Sequence, residues 1–242
     1  MIAVSNNVNI VIYSNDDSSD LLTEYITNKS NIKLVIKPME LFHTYKYKNN
    51  WIKNHKSGLE LHNNTDWRLN MIWSEKVFFV EDAISNGYFT TEYYGWCDIG
   101  YFRNRINDLH TSLLVGWPNT NKIKLMSNHI HYGCIQNNRD IYIKLLNDLH
   151  KHYNQNERCH PVKRLHEVCF AGGFFVANSR LIHIYSRLYD EKMRYYFENN
   201  YVIKDDQTII MDIIFNNPKL FFIHMENDPR FDNWFMFQRI LC

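Results

Sequence analysis

Residues 8–13 read VNIVIY and run directly into Ser14-Asn15-Asp16-Asp17. A short β-branched run closed by a polar cluster is the pattern of a buried strand ending in a turn or helix cap. Residues 20–28 can form a helix and Ile32 to Ile36 a second strand, so the chain opens β-α-β. Parallel neighbours need a crossover connection, usually helical. That opening sets the expected fold class: a single α/β domain, with a mainly parallel central sheet and helices on both faces. In open α/β sheets ligands sit outside the carboxyl ends of the strands, which makes Ser14 and Asn15 candidate binding residues.

Strand and helix patterns alternate through the rest of the chain. Residues 67–86 carry Leu69, Ile72, Trp73, Val77, Val80, Ala83 and Ile84 at helical spacing, with Asp66 as N-cap. Residues 91–97 (TEYYGWC), 123–126, 169–177 and 220–224 read as strands, and 139–153 as a helix. Asn178 is expected to cap a long helix to about Asn199, and Asp205 or Asp206 a shorter one that stops before Pro218. Residues 43–66 have weak periodicity and hold Lys46, Lys48, Lys53 and Lys56 before the first acid at Glu60, the pattern of a solvated loop, a small subdomain or a flap over a phosphate-bearing ligand. No repeat or linker divides the 242 residues, so one domain is expected.

Twenty-seven basic against 26 acidic side chains remove the basic excess of a protein that lives on phosphate-backbone contacts, and nucleic acid is not an expected partner. No apolar stretch approaches the roughly 20 residues needed to span a bilayer. The first 13 residues have no basic run ahead of a β-branched stretch, which reads as a strand and not as a signal peptide, and a cytoplasmic protein is expected. Five cysteines without a CxxC pair fit reduced thiols.

Three motifs carry candidate chemistry. In Trp96-Cys97-Asp98-Ile99-Gly100-Tyr101-Phe102-Arg103 a carboxylate follows a strand, where it can hold a hard divalent cation against phosphate oxygens; alone, the same Asp-Ile-Gly is a turn. Gly172-Gly173 interrupts an apolar run, as a bulge or as a platform for a closely approaching ligand. Asp205-Asp206-Gln207 opens the late helix, where one Asp can cap and the other face a substrate. Arg68 and Lys76, eight residues apart, would share one side of a continuous helix. His129 and His131 would share a strand face without an evident third metal ligand.

In their order, the strand-loop at Ser14, the helix with Trp67-Arg68-Leu69 and Trp73-Ser74-Glu75-Lys76, the Trp96-Cys97-Asp98-Ile99-Gly100 motif with Arg103, Gly172-Gly173 and Asp206-Gln207 resemble the HtrL/WlaTC-type glycosyltransferase family over about residues 68–218. The resemblance implies a GT-A fold, with about 1–110 as a nucleotide-binding half and 111–242 as an acceptor half, and transfer of a hexose or related sugar from a nucleotide-sugar donor, a UDP-sugar, to a glycan or other hydroxyl acceptor, with at least one of Arg68 and Lys76 reaching the nucleotide or diphosphate. It implies a divalent metal, Mn²⁺ or Mg²⁺, at a DxD-like motif in which Asp98 matches the last acid and Trp96 stands in place of the first. It further implies that Asp206, with Asp205 beside it, acts at the transferred sugar, and that His224 completes the metal site. Two other classes remain open: a metal-dependent phosphodiesterase or nuclease using Asp98 with Glu75, Lys76 or Asp206, and a non-catalytic carbohydrate-binding domain.

Overall fold

A computed structural model describes residues 7–57, 60–102, 115–126 and 128–242; Arg103 lies outside them. The elements run β1 (Ile10–Ser14), α1 (Asp16–Ile26), β2 (Ile32–Ile36), α2 (Lys48–His55), α3 (Glu60–Asn64), α4 (Trp67–Ser74), α5 (Lys76–Ser85), β3 (Tyr93–Cys97), α6 (Thr120–Lys124), β4 (Ile130–Cys134), α7 (Arg139–Asn154), β5 (Phe174–Asn178), α8 (Ser179–Glu198), α9 (Asp206–Asn216), β6 (Phe221–Met225) and α10 (Phe237–Ile240). The fold is α/β.

The opening β-α-β unit forms as expected, with β1 and β2 paired in parallel. The main sheet corrects the expectation of a mainly parallel one. Its order is β3-β5-β4-β6, and β5 is antiparallel to both of its neighbours while β4 and β6 are parallel. The cause is the chain between α7 and β5. Residues 155–173 return to the carboxyl end of β4, where Ile135 N donates to Cys169 O and Ala171 N to Gly133 O, so β5 starts at that edge and runs back. β3 thereby joins β5, and the halves expected on either side of residue 110 share one sheet. The carboxyl ends of β3, β4 and β6 and the start of β5 all meet at one edge.

Period-two alternation sorts the side chains. Ile130, Tyr132, Phe175 and Ala177 enter the large core with α4, α5, α8 and α9, while Phe174 and Val176 pack with Tyr101, Trp117, Met236, Phe237 and Leu241 on the other face. Gly95 is required where β3 meets β5, since a Cβ there would stand 2.2 Å from Phe175 O.

Two further local expectations are corrected, and a third is narrowed. Residues 123–126 are no strand: Asn119 accepts from the amides of Asn121 and Lys122 and starts α6. The described residues of 43–66 form short helical segments and not a structureless loop. Lys46 pairs with Asp190, Lys53 with Asn200 and Lys48 with the Tyr45 hydroxyl, and Trp51 is fully buried. The helix expected over 67–86 breaks at Glu75, whose buried carboxylate accepts from His43 N (2.7 Å), Thr44 N (2.8 Å) and Thr44 Oγ1 (2.6 Å). Asp66, Asn178 and Asp205 cap α4, α8 and α9 as expected.

Candidate functional site

Asp98 follows β3 and Asp206 opens α9; 108 residues apart in sequence, they meet at one ammonium group. Lys76 Nζ lies 3.2 Å from each Asp98 oxygen, 2.9 Å from Asp206 Oδ2 and 2.9 Å from Gly172 O. The first-turn position of Lys76 is a product of the break at Glu75, which starts α5 afresh and aims this side chain at the sheet edge.

Each member is held from behind. Asp98 N donates to Gly173 O (2.9 Å), and the Trp96 indole N–H donates to Asp98 Oδ1. Gln207 Nε2 donates to Phe170 O, tying the start of α9 to the strand leading into Gly172. The backbone before Asp205 is gripped by α2 and α4: Asn54 bonds Ile203 in both directions, and Asn70 donates to Ile203 O and Lys204 O. Asp205 is the N-cap, accepting from Thr208 N and pairing with Lys204, which leaves Asp206 as the first residue of the helix.

The glycines fit this corner for steric reasons. A Cβ on Gly172 would stand 2.7 Å from Asp206 Oδ2, and one on Gly173 3.4 Å from Asp98 Oδ2. Gly172→Ala is expected to push the Asp206 carboxylate off Lys76 and to lower stability by about 1–3 kcal/mol, the usual cost of overpacking. Urea unfolding at pH 7 checks this; an unchanged midpoint would show that the corner has slack.

Burial sets the electrostatics. Asp98 is the open member, its side chain 39% exposed, against 8% for Asp206 and 12% for Lys76. Desolvation raises the Asp206 carboxyl to about 6 against the pull of Lys76, with Asp205 and Asp98 adding repulsion. Burial alone would push the Lys76 ammonium down; Asp206 and Asp98 outweigh it and hold it above the ordinary lysine value. Among the described residues Asp206 Oδ2 takes no hydrogen bond beyond its ion pair with Lys76, so that oxygen keeps acceptor capacity. Behind the pair lies a cavity of about 10 Å³, bordered by Ser74, Tyr132, Tyr185 and Tyr189, with room for at most one water.

The other expected residues are placed as follows. Ser14 and Asn15 end β1, and a ring stack ties that strand to the carboxylate corner: Tyr13 on Phe79 at 4.5 Å, Phe79 on Trp96 at 5.7 Å. The Tyr13 hydroxyl and Lys37 Nζ both hold Asp82 on α5, at 2.7 Å each. Tyr13, Phe79 and Asp82 were not singled out from sequence; a Tyr at the end of the first strand was the available signal. Arg68 is not brought in. It starts α4, about 12 Å of helix before Lys76, and its side chain is exposed beside Asp66 and the Trp67 ring. Glu75 is consumed by its cap.

His224 is also apart from Asp98. It lies on β6, three strand spacings or roughly 14 Å from β3, and its Nε2 sits 2.9 Å from His131 Nδ1. Burial pushes both imidazoles down to about 4, so they are neutral at pH 7 and share one proton donor. His129 approaches His131 only edge-on at 6.3 Å. Among the described residues no three His, Cys, Asp or Glu side chains form a metal-binding group. Asp98 faces an ammonium and an indole N–H, the wrong neighbours for a cation, so this donor set does not fit a divalent ion chelated by the protein alone. No helix among the described residues is long and apolar enough to cross a membrane. No family model and no curated protein matches this chain, and the likeness to HtrL/WlaTC-type enzymes rests on the motifs alone.

Proposed function

We propose that the protein is a glycosyltransferase of GT-A type that moves a hexose or related sugar from a UDP-sugar to a hydroxyl acceptor. The observation that carries the reading is the convergence of Asp98, Asp206 and Lys76 on the side-chain-free Gly172-Gly173 corner at the carboxyl edge of the sheet. Ligands of α/β folds bind at such edges. Ser14 and Asn15 would meet the base or ribose.

In this reading Lys76 supplies the positive charge that the departing diphosphate needs, in the role the DxD likeness gives to a metal. A diphosphate draws the ammonium toward the open side, where Asp98 lies. Asp206 then loses the Lys76 ammonium from Oδ2, its proton affinity rises, and it takes the proton of the acceptor hydroxyl as the C1–O bond to the diphosphate breaks and the new C1–O bond forms. Attack opposite the leaving group inverts the anomeric centre; a retained configuration, read from the anomeric proton by NMR, would remove the base role from Asp206.

Lys76→Met is expected to reduce UDP release from UDP-glucose, UDP-galactose and UDP-N-acetylglucosamine by at least about 100-fold, the lower range for one lost charge-stabilising group, whereas EDTA is expected to change UDP affinity less than about threefold. Lys76→Arg, which keeps the charge, guards against loss of fold. Equal UDP affinity in the Met variant, or abolition by EDTA, would overturn the assignment. The phosphodiesterase reading loses Glu75, whose carboxylate is occupied by three bonds to His43 and Thr44.

A further inference from the structure

Beyond β6 the chain loops back over residues 226–234 and, with Ile135 and Asn137 after β4, encloses a groove of about 540 Å³. That volume lies in the range of small-molecule sites. It opens at the carboxyl edge shared with Gly172, because β4 and β6 end where β5 begins.

The groove wall is built. Glu226 pairs with Arg239 at 2.7 Å, and the Arg239 guanidinium lies 4.2 Å over the Phe231 ring. Asp228 takes both arms of Arg230, and Asp232 accepts from Trp234 N at 2.9 Å, which fixes the tryptophan backbone. Glu226 and Asp228 are thus charge-compensated, which gives little attraction to a free cation or anion; Asp228 is filled by four bonds from Arg230, whereas Glu226, with one bond on each oxygen, retains lone pairs for hydroxyl donors. Asn137 and Asn233 bond each other across the groove and offer further amide groups. Against this polar wall Trp234 is 41% exposed and Met225 63%, an apolar platform set beside acceptors.

One ligand class matches both surfaces: a pyranose, with C–H groups on its ring face and hydroxyls around its rim. We propose that this groove binds a neutral glycan, with a sugar ring stacked on Trp234 and its hydroxyls bonded to Glu226, Asn137 and Asn233. The groove is two strand spacings, about 10 Å, from the start of β5. An oligosaccharide of two or three rings anchored here would reach the Asp206 corner, so the groove is the distal acceptor subsite; this last step rests on the transferase reading, and the glycan binding does not.

Saturation-transfer NMR with chitotriose, cellotriose and maltotriose tests it. At least one is expected to receive saturation from the native protein at millimolar concentration, Trp234→Ala to weaken it tenfold or more, and Trp234→Phe, which keeps a ring, to weaken it severalfold, with UDP binding unchanged in both. No saturation of any of the three, or equal affinity in Trp234→Ala, overturns the proposal. UDP binding and release measured on the same variants separate the two readings. Trisaccharide binding lost with Trp234 in a protein that never binds UDP leaves the groove and removes the transferase; UDP-sugar turnover with no trisaccharide binding does the reverse.

Discussion

Asp206→Asn is expected to lower kcat/KM for sugar transfer by about a thousandfold, within the range for removal of a general base, while UDP affinity stays within about threefold. The native pH profile carries the more specific signature. With the Asp206 carboxyl raised to about 6, the ionised base accumulates as pH rises through that value, so log kcat/KM climbs with unit slope below about pH 6 and is flat above. The Asn variant has no such limb. Stability moves in the opposite sense. A carboxyl whose native pKa lies above its ordinary value of 3.8 favours the folded state fully below that value and loses the contribution as pH rises to about 6. At pH 7 the variant, uncharged like the protonated acid, is therefore expected to melt no lower than the native protein, and the difference should close below pH 4. A parallel fall in melting temperature and rate at pH 7 would make Asp206 a structural anchor for Lys76 and leave Asp98 as the acid that faces substrate.

The opening β-α-β, the helix at 139–154 and the caps at Asn178 and Asp205 were legible because each is decided within a few residues. β4 was not, since IHYGC is buried along its whole length and has no polar alternation to announce it. The reversed direction of β5 depended on where residues 155–173 travel, which no local pattern encodes. The break at Glu75 depended on two amides 31 and 32 positions away. It decided the cations: it aims Lys76 into the corner and leaves Arg68 out. Asp98, Gly172, Gly173 and Asp206 were each visible as motifs. Their meeting is tertiary, and so is the stack of the Tyr13, Phe79 and Trp96 rings that links the first strand to it.

The rigidity of Asp206 is rooted further along α9, at Asp212, which is wholly buried. Its Oδ1 lies 2.8 Å from Lys192 Nζ and 2.8 Å from Asn216 Nδ2; its Oδ2 accepts from the hydroxyls of Tyr153 (2.8 Å) and Tyr196 (2.7 Å). One carboxylate so joins α7, α8 and α9. Burying a charge is repaid only when its lone pairs are filled, as here, and truncating one partner strands the other. Asp212→Ala leaves the Lys192 ammonium without its carboxylate and two tyrosine hydroxyls without their acceptor. The expected loss is about 3–5 kcal/mol, which for a chain of this size lowers the melting temperature by roughly 10 °C. Lys192→Met in the same background removes the stranded charge and should recover part of the loss, leaving the cost of the unbonded hydroxyls. A single-variant loss under about 1 kcal/mol in urea unfolding would mean that water replaces the carboxylate at low cost, and that α9 is held at its first turn by Asp205, Gln207 and the Asn54-Asn70 clamp instead.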